Sequence, residues 1–125
     1  MVDRGPNSAD VIAWAMKDRR VTALMGNHEH MLLDYYAGGG CYSESSWAYN
    51  GGAATRESYM RNYGDDRPPE SHLTWLKRLP VLYRNDNLIA THAPINHRLS
   101  IEQAVAFSKP DASYEIGRAS CRERV

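Results

Sequence analysis

The sequence predicts an α/β domain in which helices pack on a sheet. Two features carry that reading. Segments with helical spacing of apolar residues alternate with short apolar runs bounded by charge or glycine. Three polar clusters also stand at the ends of such runs or just ahead of a helix. In open α/β sheets, ligand sites form outside the carboxyl ends of strands. A chain of 125 residues suits one domain large enough to bury a core.

The first helix is expected over residues 8–18. Asn7 or Ser8 can cap it, Pro6 precedes it, and Val11, Ile12, Ala15 and Met16 give it an apolar face. Residues 21–25 (Val21, Thr22, Ala23, Leu24, Met25) form an apolar run between charged Asp18, Arg19 and Arg20 and Gly26, as a buried strand would. A second helix starts near His28 and runs through Met31, Leu32 and Tyr35 to the glycines at 38–40, with Tyr35 and Tyr36 a partly buried end. Residues 47–50 suit a short helix stopped by Gly51 and Gly52, and residues 53–63 a longer one. Pro68 and Pro69 make 64–69 a loop. Residues 71–78 read as a helix with Leu73 and Leu76 on one side. Residues 79–84 and 87–91 read as two strands joined at Asn85 and Asp86, a hairpin signal. Residues 100–107 close the pattern as a last helix. Trp14 and Trp75 are expected to pack inside.

Composition narrows the functional classes. Formal net charge is zero, so nothing in the balance points to nucleic acid or an anionic membrane as partner. No apolar run approaches the roughly 18–20 residues that span a bilayer. The opening residues show no basic segment followed by an apolar stretch. Cys41 and Cys121 form neither a disulfide framework nor a zinc pattern. A reduced, cytoplasmic protein is the expectation. Residues 115–125 resemble the translation of a DNA-sequencing adapter, which confines the domain to 1–114. Three of the fifteen basic and two of the fifteen acidic residues lie in that tail, so the domain itself carries −1.

The chemistry concentrates in three places. Asn27, His28 and Glu29 follow the run ending at Met25. Thr91, His92 and Ala93 close the run containing Leu88 and Ile89. Asp3, Arg4 and Gly5 precede the first helix. Brought to one sheet edge, they would supply metal ligands, a proton donor and an anion clamp. Taken singly, Asn27 is a turn residue, His28 and His92 are polar groups at strand ends, and Asp3 and Arg4 are a surface pair worth under about 1 kcal/mol. His30, two positions from His28, points elsewhere on a helix and is read as a solvated or rim residue. His72 and His97 receive no role.

In order and spacing, Val2-Asp3-Arg4-Gly5, Gly26-Asn27-His28-Glu29 and Thr91-His92-Ala93 resemble three of the five signature blocks of the phosphoprotein phosphatases. These are the serine/threonine phosphatases of bacteria and phages within the calcineurin-like metallophosphoesterase superfamily. Trp47 and Asn50-Gly51-Gly52 are similar to a further stretch of such proteins. The resemblance covers residues 1 to about 107. It implies part of a calcineurin-like sandwich, sheets flanked by helices, with its N- and C-terminal strands missing. It implies two divalent metal ions, Mn²⁺ or alternatively Fe or Zn. Asn27 and His92 would be ligands of the second ion. His28 would be the general acid that protonates the leaving alkoxide, Asp3 the carboxylate that orients it, and Arg4 the guanidinium that holds substrate phosphate. Two ions about 3.5–4 Å apart can activate a water and stabilise both oxygens of an in-line displacement. Arg suits phosphate better than Lys through its bidentate fork.

The same resemblance implies absent parts. An Asp-x-His block would lie upstream, with the bridging Asp one residue before Met1, and a Gly-His block would lie beyond the tail. With two ligands of one ion and none of the other, the 125-residue chain by itself is expected to be inactive. The implied substrate is a phosphorylated protein or a small phosphoester. A dinucleoside-polyphosphate hydrolase of the same superfamily is the alternative, and Glu29, where those proteins tend to carry Asp, leans toward the phosphatase. A binding module that kept the fold and lost the chemistry is the remaining alternative. Because the tail was not selected to pack on this core, deleting residues 115–125 should leave the melting temperature unchanged. A shift of more than a few degrees would make the tail part of the fold.

Overall fold

A computed structural model of the chain describes residues 1–38, 44–94 and 98–107. The elements follow the alternation of caps and apolar faces. Helix α1 spans Ser8–Lys17, with Asp10 in its first turn and Lys17 in its last, both charges matched to the helix dipole. Helix α2 spans Asn27–Tyr36, α3 Glu44–Trp47 and α4 Ala53–Tyr63. Between α3 and α4 the chain makes a wide turn over Ala48–Gly52, broken at Gly51 with φ 103°. Gly64, left-handed at φ 73°, ends α4 with its N–H on the Met60 carbonyl. Helix α5 spans Glu70–Lys77 and starts from Pro69, which fixes the backbone for a first turn.

Strands β1 (Leu82–Arg84) and β2 (Ile89–Thr91) pair antiparallel, with Leu82 opposite Thr91 and Arg84 opposite Ile89. The turn between them is set by Asn85, whose Oδ1 accepts the N–H groups of Asn87 (2.9 Å) and Leu88 (2.8 Å). Helix α6 (Ile101–Phe107) begins with a reciprocal cap. Ser100 Oγ accepts the Gln103 N–H at 3.2 Å, and Gln103 Oε1 accepts the Ser100 N–H at 2.9 Å.

The core gathers where α1 packs on α4 and α5, and α2 on α3 and α5. Ile12, Leu32, Leu33, Trp47, Tyr59 and Leu76 are its largest fully buried residues. Ser8, Ala9, Ile12 and Ala15 form the buried stripe of α1, small enough for α4 to approach closely. The Ala9 N–H donates to Ser58 Oγ at 3.0 Å and so fastens the first turn of α1 to α4. Asp66 anchors the loop after α4 by taking the Tyr36 hydroxyl on its carbonyl at 2.6 Å and the Arg56 guanidinium on its carboxylate. Burial raises the pKa of Tyr36 and Tyr59, so both phenols stay protonated donors.

Two expectations need correction. Residues 21–25 are not a strand: along this run the Met25 N–H donates to the Pro80 carbonyl at 2.8 Å, and no ladder forms. The run is nonetheless inward, with Met25 in the core and Ala23 packed against it. Its apolar character reports burial, whereas a strand needs a partner alongside. The sheet among the described residues has two strands, a mixture of helix and strand compatible with α/β but short of a sandwich. Trp14, expected inside, is 56% exposed. It lies two residues from Ile12 and so faces the opposite side of the helix, and Val11 is exposed with it. The glycines at 39 and 40, Cys41, His97, Cys121 and the tail lie outside the described residues. No described helix is long and apolar enough to cross a membrane.

His72 has a structural place on α5. Its Nδ1 lies 3.0 Å from the Tyr59 hydroxyl and its Nε2 3.4 Å from that of Tyr63. Burial, assisted by the charge of Lys17, lowers its pKa. The unfolded chain then binds the proton first, so stability is lost as pH falls below the ordinary histidine value of about 6.5. The loss levels off once pH passes the lower folded value. Urea unfolding at pH 7.5 and 5.5 should show a larger drop for the wild type than for His72→Gln. Equal drops would remove His72 from the acid response.

Candidate active site

The buried carboxylate of Asp3 is the centre of the site. It is 4% exposed and sits just ahead of α1, and all of its polar partners come from other elements. His28 Nδ1, on the first turn of α2, lies 2.8 Å from Oδ2, and the Trp47 indole N–H donates to the same oxygen at 2.9 Å. Thr55 Oγ1 donates to Oδ1 at 2.6 Å and accepts the Asp3 backbone N–H at 2.9 Å. An ionised carboxylate only accepts, so the ring proton facing it belongs to His28 Nδ1. That leaves Nε2 for whatever lies outside, and the His28 side chain is 25% exposed.

The backbone around this carboxylate is specialised. Asp3 has φ 73°, the one positive-φ residue other than glycine among those described. Gly51, at φ 103°, passes so close that a Cβ there would overlap the Asp3 carbonyl oxygen and come within 3.0 Å of its carbon. Gly52 lies against the Trp47 ring, where a Cβ would approach Cδ2 to 2.5 Å. The wide turn thus uses one glycine to reach Asp3 and the next to seat the tryptophan that bonds it. Trp47 is in turn packed on Tyr35 and Tyr36, with ring centroids 4.8 and 5.8 Å away.

The second part of the site is the start of α2. Glu29, 4% exposed, accepts the Gly26 N–H on Oε2 at 3.1 Å and the Met1 ammonium on Oε1 at 2.8 Å. A Cβ at Gly26 would lie 3.0 Å from His92 Cε1 and 3.1 Å from its Nδ1. The His92 ring, just beyond β2, therefore rests against the residue that precedes Asn27. His92 thus lies beside Gly26 at the start of α2, whose next residues are Asn27 and His28, and His28 meets the Asp3 carboxylate. Asn27 and His92 are exposed. Arg4 is exposed beside Asp3, and no side-chain bond among the described residues ties its guanidinium to the others. His30 is half-buried on α2.

Among the described residues no cluster of three or more His, Cys, Asp or Glu could hold a metal ion. Asn27 and His92 offer two neutral donors, which fit one edge of a site for an oxygen-preferring ion that usually takes about six ligands. They do not complete it. Sequence reading missed Thr55 and Ser58, although the signal was present. Thr55, Ser58 and Tyr59 put polar atoms at helical spacing on the face of α4 that is buried.

The chain is similar to the symmetrical bis(5'-nucleosyl)-tetraphosphatase of Nitrosospira multiformis, with 32% identity over 107 residues. The match covers 83% of this chain and 34% of that protein, so the chain spans about a third of its curated relative's length. No protein-family model matches the chain, and no solved structure does. The similarity is to a tetraphosphatase and does not reach the protein phosphatase branch.

The close approach of Gly51 to Asp3 gives a stability prediction. Gly51→Ala forces an alanine into a left-handed conformation and into the Asp3 carbonyl, and should cost more than about 1–2 kcal/mol. Gly5→Ala, with nothing within 4 Å of the new methyl, should change stability by no more than about 0.5 kcal/mol. Melting curves of the two variants check the contrast.

Proposed function

We propose that the protein carrying this chain is a metal-dependent phosphoester hydrolase. We further propose that its substrate is a small phosphoanhydride of the dinucleoside-polyphosphate class. The observation that carries the first part is the Asp3–His28 hydrogen bond of 2.8 Å. It fixes an imidazole by a buried carboxylate at the start of a helix. The substrate class rests on the similarity to a dinucleoside tetraphosphatase.

The chain's own residues have separable tasks. The dipole at the start of α2 favours a phosphate there. Arg4, exposed next to Asp3, can close on the same phosphate with a bidentate fork. His28, held through Nδ1 by Asp3, can as the imidazolium give its Nε2 proton to the leaving oxygen as the bond to phosphorus breaks and be left as the neutral Nδ1–H ring. Asn27 and His92 are the residues that would hold a metal ion, which when bound lowers the pKa of water and offsets phosphate charge.

A phosphorylated protein remains the second substrate reading. Glu29 favoured it in the sequence, but the buried Glu29 carboxylate accepts the Gly26 N–H at the start of α2. Residue 29 thus reports how α2 starts more directly than what the site cleaves. The whole protein, supplied with Mn²⁺, should convert a dinucleoside tetraphosphate into two nucleoside diphosphates faster than it dephosphorylates a phosphoserine peptide. The reverse preference would restore the phosphatase reading, and no turnover of either would leave a binding module. His28→Asn should slow alkyl phosphate hydrolysis by about 10²–10⁴-fold, the usual range for general acid–base catalysis. The loss should be smaller for aryl phosphates and anhydrides, whose leaving oxygens need less protonation. Equal losses across all three would take the acid role from His28.

A further inference from the structure

The inner side of Asp3 is as fully bonded as the side that meets His28. Thr55 Oγ1 holds this residue at two points, accepting its backbone N–H and donating to its carboxylate. A hydroxyl has one proton and two acceptor sites. With the proton given to Asp3 Oδ1, the contact of Thr55 with Ser8 Oγ at 3.2 Å requires the serine to be the donor. The two-point hold matters because Asp3 is left-handed, a conformation that L residues keep only where their surroundings over-determine it. Gly51 closes the other side of the same backbone. With main chain and carboxylate both fixed, Oδ2 is left facing His28 Nδ1.

We propose that Thr55 is a positioning residue for the Asp3–His28 pair. Its hydroxyl locks the left-handed conformation of Asp3 and turns the carboxylate so that Oδ2 selects the Nδ1–H tautomer of His28. Trp47 shares Oδ2 with His28 but leaves the Asp3 backbone untouched, so the control of conformation belongs to Thr55. The proposal rests on the reading of His28 as proton donor, and it extends the site into α4.

Two measurements test it. In the 125-residue chain, nitrogen-15 spectra of the histidine rings, taken where the ring is neutral, should show His28 as the Nδ1–H tautomer. Thr55→Val should shift it toward a mixture of tautomers, and Thr55→Ser should keep it. Ser8→Ala removes a buried hydroxyl that touches Thr55 but not Asp3, so it should lower the melting temperature and leave the tautomer alone. Should Thr55→Val not fold, Thr55→Cys keeps the size, weakens the hydrogen bonds and should give the same shift. A wild-type Nε2–H tautomer, or a folded Thr55→Val or Thr55→Cys with an unchanged spectrum, would overturn the proposal.

In the whole protein, Thr55→Val should slow alkyl phosphate hydrolysis at least tenfold more than aryl phosphate hydrolysis. Adding it to His28→Asn should cost little more. Additive losses, or equal losses for both ester types beside a leaving-group effect of His28→Asn, would reduce Thr55 to a packing residue. If His28→Asn itself shows no leaving-group effect, the functional reading falls, and the tautomer spectra still decide the role of Thr55.

Discussion

A buried carboxylate must be fully hydrogen-bonded or it neutralises or unfolds its surroundings. At Asp3 this requirement organises the molecule. Its partners come from the first turn of α2, from the end of α3 and from α4. Satisfying one side chain therefore fixes three helices whose bonding residues lie 25, 44 and 52 positions from it in sequence. The two glycines of the wide turn exist to permit this: Gly51 lets the chain pass against Asp3, and Gly52 seats the indole that bonds it. Each hydrogen bond to a charged group contributes about 1.5–3 kcal/mol, and together they offset the left-handed backbone, which costs about 1–2 kcal/mol. The strain sits where chemistry is proposed, beside a histidine with one ring nitrogen held and the other free.

Most helices could be read from spacing and punctuation. The one predicted over residues 53–63 is observed at Ala53–Tyr63, because Gly52 and Gly64 bound it and nothing competes. The hairpin was legible from Asn85, whose side chain dictates the turn. The run at 21–25 misled because strand and buried coil share one apolar signature. Trp14 misled because residue type was weighed above its position on the helical wheel. Within the site, His28 Nδ1 lies 2.8 Å from Asp3 Oδ2, a contact between residues 25 apart that no local pattern announces. The polar face of α4 was marked by the helical spacing of Thr55, Ser58 and Tyr59, but spacing does not name a partner, and the tie of Thr55 to Asp3 shows only in the structure.

The parts of the site differ in how firmly they are built. Asp3 and His28 are locked by buried bonds. Asn27, His92 and Arg4 are exposed around them, as groups that await a ligand would be. That division accords with phosphate and metal chemistry, in which the oriented acid must be rigid and the ligands can close on an incoming ion. The bond of Glu29 to the Gly26 N–H gives residue 29 a structural duty at the start of α2.

The central claim is that residues from three distant segments meet at the start of α2 and form one phosphate- and metal-facing edge. Paramagnetic Mn²⁺ titrated into the isotope-labelled protein tests this directly, because line broadening maps even weak binding. Signals of Asn27, His28 and His92 should broaden together at the lowest Mn²⁺ concentrations, with Asp3 close behind. Broadening confined to exposed carboxylates such as Glu70 or Asp86, with these four residues unaffected, would contradict the account.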